Sequence, residues 1–201
     1  MDFSYTPLKI ETCALEMEYF HVPWDAEILG YPVAQISSLQ VKNAEEAEQT
    51  FEEFFDWLDE EKIDFCSCRL PHGSLAESRF LQRHGFQFIE LNYRPYLDNL
   101  QRLDFPEDSI DILPAVPDDE DELAQMAGAI FRHGRFHQDP ALGANSGNRR
   151  YEIWLRNSFR IGTQTTYKCV LDGEVAGFFV VEYPQDRNCF WSLIGLAPGR
   201  E

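Results

Sequence analysis

Asp172-Gly173 stands between two runs of strand-forming residues, Thr165–Leu171 and Glu174–Tyr183. A two-residue Asp-Gly link tolerates the positive φ that a primed turn needs, and its twist matches that of antiparallel strands. This dipeptide therefore predicts a tight hairpin. Asn188–Leu196 carries a third strand pattern, so 166–197 is expected to form an antiparallel meander.

The segments before the hairpin set the rest of the expectation. Ile110–Leu113 reads as a strand, and Asp118–Phe131 as a helix whose acidic first turn suits the positive end of its dipole. Phe136–Gly147 reads as a loop, and Arg149–Arg160 as a helix with Tyr151, Trp154, Leu155 and Phe159 on one side. Nearer the N-terminus, residues 15–22 read as a strand that Pro23-Trp24-Asp25 breaks, followed by a strand over Tyr31–Leu39. Asn43 caps a helix running to about Lys62, with Ala47, Phe51, Phe54, Phe55 and Leu58 at helical spacing. Phe65–Leu70 is a short strand. Ser74 opens a helix to His84 that Gly85 ends, and Phe86–Leu97 reads as a long strand. Residues 98–108 are polar and contain Pro106, which places a boundary there. The expected class is α+β, with an α/β domain over 1–105 and a second domain over 106–201.

Charge narrows the partners. The 201 residues carry a net charge of −18, which argues against nucleic acid and anionic membrane as general partners. The N-terminus has no signal-peptide pattern, and no apolar run reaches the roughly 20 residues of a membrane span, so a cytoplasmic protein is expected. Cys13, Cys66, Cys68, Cys169 and Cys189 are scattered. They read as reduced structural thiols ahead of a disulfide or metal role, and no metal site is expected. Residues 129–160 are the exception to the acidity, with Arg132, Arg135, Arg149, Arg150, Arg156 and Arg160 against only Asp139 and Glu152. Arginine suits bidentate recognition of phosphate or carboxylate. A helix surface that merely carries arginines fits the same composition equally well.

Several segments, taken in order, resemble one family. Cys169–Phe178, with its turn and Val-Ala-Gly-Phe step, looks like the second and third strands of the GNAT N-acyltransferase fold. Leu193-Ile194-Gly195-Leu196-Ala197-Pro198-Gly199-Arg200 resembles the end of that fold's fourth strand and the lead-in to its acyl-CoA loop, [RQ]-x-x-G-x-[GA]. Pro23-Trp24-Asp25 with Ile28–Val33, then Arg135-Phe136 with Asp139-Pro140, then Trp154 with Asn157-Ser158, are similar to dTDP-fucosamine acetyltransferases, which place another domain ahead of the GNAT domain. Phe65–Leu70, the helix from Ser74 and His84–Phe88 are similar to the back half of a GNAT fold. The first domain is thus either a degenerate half-GNAT or an ordinary αβ junction.

The resemblance implies an N-acetyltransferase that uses acetyl-CoA as acyl donor and the amine of a small, anionic acceptor, such as a nucleotide-linked amino sugar. It implies that Leu193, Ile194, Gly195, Leu196 and Arg200 meet the donor. It also implies that Arg132, Arg135, Phe136, His137 and Asp139 shape the acceptor site. A plain surface loop ranks second, and His133, His137 and Asp139 as a metal site a distant third. The family's leaving-group Tyr and loop glycines find no counterpart before Glu201, so the catalytic residues stay unassigned. A chain truncated inside the acyl-CoA motif, with little activity of its own, is expected. The competing expectation is a non-catalytic binding or assembly module. In either case Ile194–Leu196 is expected at an exposed sheet edge, covered by a homodimer partner or by the tail folding back.

Overall fold

The Asn43 side chain accepts hydrogen bonds from the Glu45 and Glu46 N–H groups, at 3.2 and 3.5 Å, and so starts the longest helix among the described residues. The protein, described here by a computed structural model over residues 6–99, 102, 104, 110–143, 145–184 and 188–200, divides into two compact units, residues 2–88 and 89–201. Together they form a mixed α+β structure with two four-stranded sheets and six α-helices among the described residues. Pro106 and most of 98–108, where the sequence suggests a boundary, lie outside the described residues.

In the first unit the strands β1 (Leu8–Glu11), β2 (Leu15–His21), β3 (Val33–Val41) and β4 (Phe65–Cys68) lie side by side in that order. The first two pairings are antiparallel. The β3–β4 pairing is parallel, and α2 (Ala44–Glu60) lies in the crossover between those strands. The helix buries Ala47, Phe51, Phe54 and Leu58 in one core cluster with Leu15, Met17, Tyr19, Ala34 and Ile36. Each fully buried side chain of this size contributes roughly 1.5–3 kcal/mol relative to exposure. Helix α3 (Leu75–Arg83) adds Phe80, whose ring meets that of Phe51 edge-on at 5.0 Å. β2 ends ahead of Pro23-Trp24-Asp25, as expected, and those residues begin helix α1 (Pro23–Leu29). Proline stands there in the first turn, where its missing N–H costs nothing. Gly30 ends α1 at φ 85°.

The second sheet is an antiparallel run of β5 (Asp111–Pro114), β6 (Gln164–Leu171), β7 (Glu174–Glu182) and β8 (Phe190–Leu196). Asp172 and Gly173 both have positive φ, 53° and 82°, as the hairpin requires. Helices α4 (Glu120–Ile130) and α6 (Ser146–Ser158) supply Leu123, Ala124, Ala127 and Leu155, which share a core with Phe178, Val180 and Leu193. A buried Ser158–Thr166 hydroxyl pair at 2.7 Å ties the end of α6 to β6. Tyr167, Phe179 and Trp191, one from each of β6, β7 and β8, stack at 5.1 and 5.4 Å.

Two expectations need correction. Phe86–Leu97 is not a strand; it joins neither sheet, and Phe88, Leu91, Tyr93, Tyr96 and Leu97 are exposed. A strand exists only through hydrogen bonds to a partner, and alternation alone does not supply one. The loop expected over 136–147 begins as a short helix, α5 (Arg135–Gln138).

Candidate functional site

The chain leaves α4 at Ile130 and passes through Phe131 and Gly134 into α5, which packs beside the first half of α6. This turn gathers an aromatic cluster. Phe131 and Tyr151 stack at 4.2 Å, and Tyr151 lies nearly parallel to both His137, at 5.8 Å, and Trp154, at 6.1 Å. Phe136 is buried. The Arg135 and Arg150 guanidinium carbons lie 4.6 and 4.5 Å from its ring centroid, and Arg150 is also 5.5 Å from that of Trp154. Guanidinium on an aromatic ring is attracted to the negative π face and keeps its edge N–H groups for other partners.

Asn148 organises the polar side of the cluster. Its Oδ1 lies 3.0 Å from His137 Nε2 and 3.5 Å from Arg132 Nη1, which donates to it. With Nε2 donating to Asn148, His137 Nδ1 is left as an acceptor. That atom is buried without a protein partner. A Cβ at Gly147 would overlap the His137 ring, so only glycine fits beneath it.

The arginine-rich stretch separates into two jobs. Arg156 contacts Asp121 at 2.6 Å, Glu152 at 3.2 Å and Glu120 at 3.6 Å, and Arg160 contacts Glu120 at 2.8 Å. These two arginines clamp α6 to the acidic start of α4. Arg135 and Arg150 lie on the Phe136 ring instead, and Arg132 donates to Asn148. Asp139 serves its own turn, where its Oδ1 accepts from the Ala141 N–H at 2.9 Å. Among the described residues, no group of three His, Cys, Asp or Glu side chains is placed to hold a metal ion.

Of the residues expected to meet an acyl donor, Leu193–Leu196 lie on β8, at one edge of the sheet, and Arg200 follows it. Leu193 and Gly195 are buried, whereas Ile194 and Leu196 are 49% and 45% exposed. A Cβ at Gly195 would run into Ile130 and the Phe178 ring. Arg200 pairs with Glu174 at 3.1 Å on the surface. The structure thus brings Arg135, Phe136 and His137 together on α5, with Arg132 and His137 both on Asn148. The end of α4 adjoins β8, because Ile130 and the Phe178 ring lie against Gly195, and Phe178 is 6.5 Å from Phe131. Asn148 is the residue of this cluster that the sequence does not single out, and Tyr151 is expected only as helix core. Their spacing on the first turns of α6 was the available signal, since residues three apart share a helix face.

No family model matches this chain. Over 185 residues it is 22% identical to the spore coat polysaccharide biosynthesis protein SpsD of Bacillus subtilis (strain 168), a match covering 89% of this chain and 61% of that protein. The chain therefore spans about three-fifths of the length of the curated relative it matches. Among the described residues, no helix is long and apolar enough to cross a membrane.

Proposed function

We propose that this chain belongs to a sugar-directed N-acetyltransferase of polysaccharide biosynthesis, which moves the acetyl group of acetyl-CoA onto the amine of a small anionic acceptor such as a nucleotide-linked amino sugar. The observation that carries the reading is the Phe136 ring with two guanidinium groups against it, Arg135 and Arg150, beside the buried Nδ1 acceptor of His137. Two oriented guanidiniums suit a diphosphate, and an acceptor nitrogen suits a hydroxyl or amine on the attached sugar. The relative's part in spore coat polysaccharide biosynthesis supports the sugar part of the reading. The resemblance to GNAT enzymes supplies the acyl part. In that reading the donor's amides lie along the β8 edge as an added strand does. The reaction forms one C–N bond, breaks the thioester C–S bond, and passes the amine proton out as the thiolate gains one.

Calorimetric titration of the 201-residue chain with a nucleoside-diphosphate-linked amino sugar tests the acceptor half. Loss of one charge-assisted contact of roughly 1.5–3 kcal/mol predicts affinity weakened about tenfold to a hundredfold in Arg135→Ala and again in Arg150→Ala. Equal affinity in all three proteins, or equal binding of the free amino sugar, rejects the reading.

A further inference from the structure

Residues 89–94 alternate with the period of a strand: Ile89, Leu91 and Tyr93 against Glu90, Asn92 and Arg94. They nevertheless join no sheet, and Leu91 and Tyr93 are 56% and 82% exposed. In the same compact unit, β8 has only one strand neighbour, β7, among the described residues. Its other edge presents a row of backbone donors and acceptors, and Ile194 and Leu196 are exposed on one face of the strand. One contact joins the two: the Arg94 guanidinium carbon lies 6.0 Å from the ring centroid of Phe190, the first residue of β8.

We infer that residues 89–94 are a strap that closes onto the β8 edge as an antiparallel fifth strand. The direction follows from the anchored end. With Arg94 beside Phe190, the residues before Arg94 reach Trp191–Leu196 only by running opposite to β8; a parallel strap would pass beyond its start. Tyr93 then comes beside Trp191 and extends the Tyr167–Phe179–Trp191 stack by one ring. Pro95 follows the anchor and brings no N–H, so it marks where pairing stops. Closure satisfies two sets of strand-like groups at once, which neither achieves alone. A consequence rests on the function proposed above. Strap and acyl donor use the same row of β8 groups, so each excludes the other, and donor binding opens the strap.

Residue-resolved amide hydrogen exchange on the 201-residue chain tests this. The β8 amides that point away from β7 are expected to exchange roughly tenfold or more slowly in the native chain than in Asn92→Pro, with α6 amides unchanged. Equal exchange of those β8 amides in the two proteins overturns the strap. If Asn92→Pro also exposes α6, a cross-link decides. In a Cys13→Ser, Cys189→Ser background, Asn92→Cys with Ser192→Cys should oxidise about tenfold faster than Asn92→Cys with Leu196→Cys, because strap pairing holds only the first pair close. Equal rates overturn it. Adding acetyl-CoA separates the strap from the functional reading. Strap amides freed by acetyl-CoA support both, whereas a strap that stays closed while calorimetry shows acetyl-CoA bound stands by itself and removes the donor site from β8.

Discussion

The imidazole of His137 lies across Gly147 and occupies the space that a Cβ at position 147 would need. Gly147→Ala must therefore tilt the ring away from Asn148 and disturb its stack with Tyr151. The expected loss of stability is about 1–3 kcal/mol, read by urea unfolding. Gly162→Ala, where an added Cβ meets nothing within 4 Å, should stay within about 0.5 kcal/mol of the native chain. Equal behaviour of the two variants would show that the ring has room to move.

Arg156 holds three carboxylates of α4 and α6. Its side chain is partly exposed and solvent screens each pair, so Arg156→Ala should cost about 1 kcal/mol, and less in high salt. Unfolding of both proteins at low and high ionic strength checks this. A loss independent of salt would assign the effect to packing of the arginine stem.

Burial pushes the thiols of Cys66 and Cys68 up to about 12, with each neutral form favoured inside the first core. In the unfolded chain they ionise near the ordinary value of roughly 8.5. The unfolded state thus binds fewer protons between about pH 8.5 and 12, and the stability of the first unit must fall as pH rises through that window. Replacing both with Ser or Ala should flatten the slope, as followed by unfolding midpoints from pH 8 to 10. A slope unchanged by the substitutions would place its cause elsewhere.

Asn43→Ala removes the side-chain acceptor from the Glu45 and Glu46 N–H groups. About 1 kcal/mol of stability is expected to go with it. Asn43→Asp keeps an acceptor at the cap and should recover most of that loss in the same measurement.

Local chemistry made much of the fold legible. Asp172-Gly173 announces its turn because few other residue pairs accept positive φ twice, and α2 shows itself through Phe51, Phe54 and Leu58 between an Asn cap and a polar face. What escaped depends on partners distant in sequence. β1 is a short edge strand, Leu-Lys-Ile-Glu, with little pattern of its own. Residues 86–97 have a strand's pattern and no place in either sheet. The arginines between 129 and 160 look alike in sequence. Only the fold brings Glu120 and Asp121 against Arg156 and Arg160, leaving Arg135 and Arg150 on the Phe136 ring and Arg132 on Asn148. Charge composition can locate such a cluster but cannot divide it.

The parallel pairing of β3 with β4 sets the two units different kinetic tasks. Val33 meets Phe65 only after a whole helix has been laid between them, whereas β6, β7 and β8 follow one another through short links and can zip from the Asp172-Gly173 turn. Long-range strand contacts close more slowly than local ones. Synthesis runs from the N-terminus, so residues 2–88 emerge first and gain time to complete their crossover before the faster meander leaves the ribosome. The order of the two units along the chain thus matches the order in which their topologies need to begin folding.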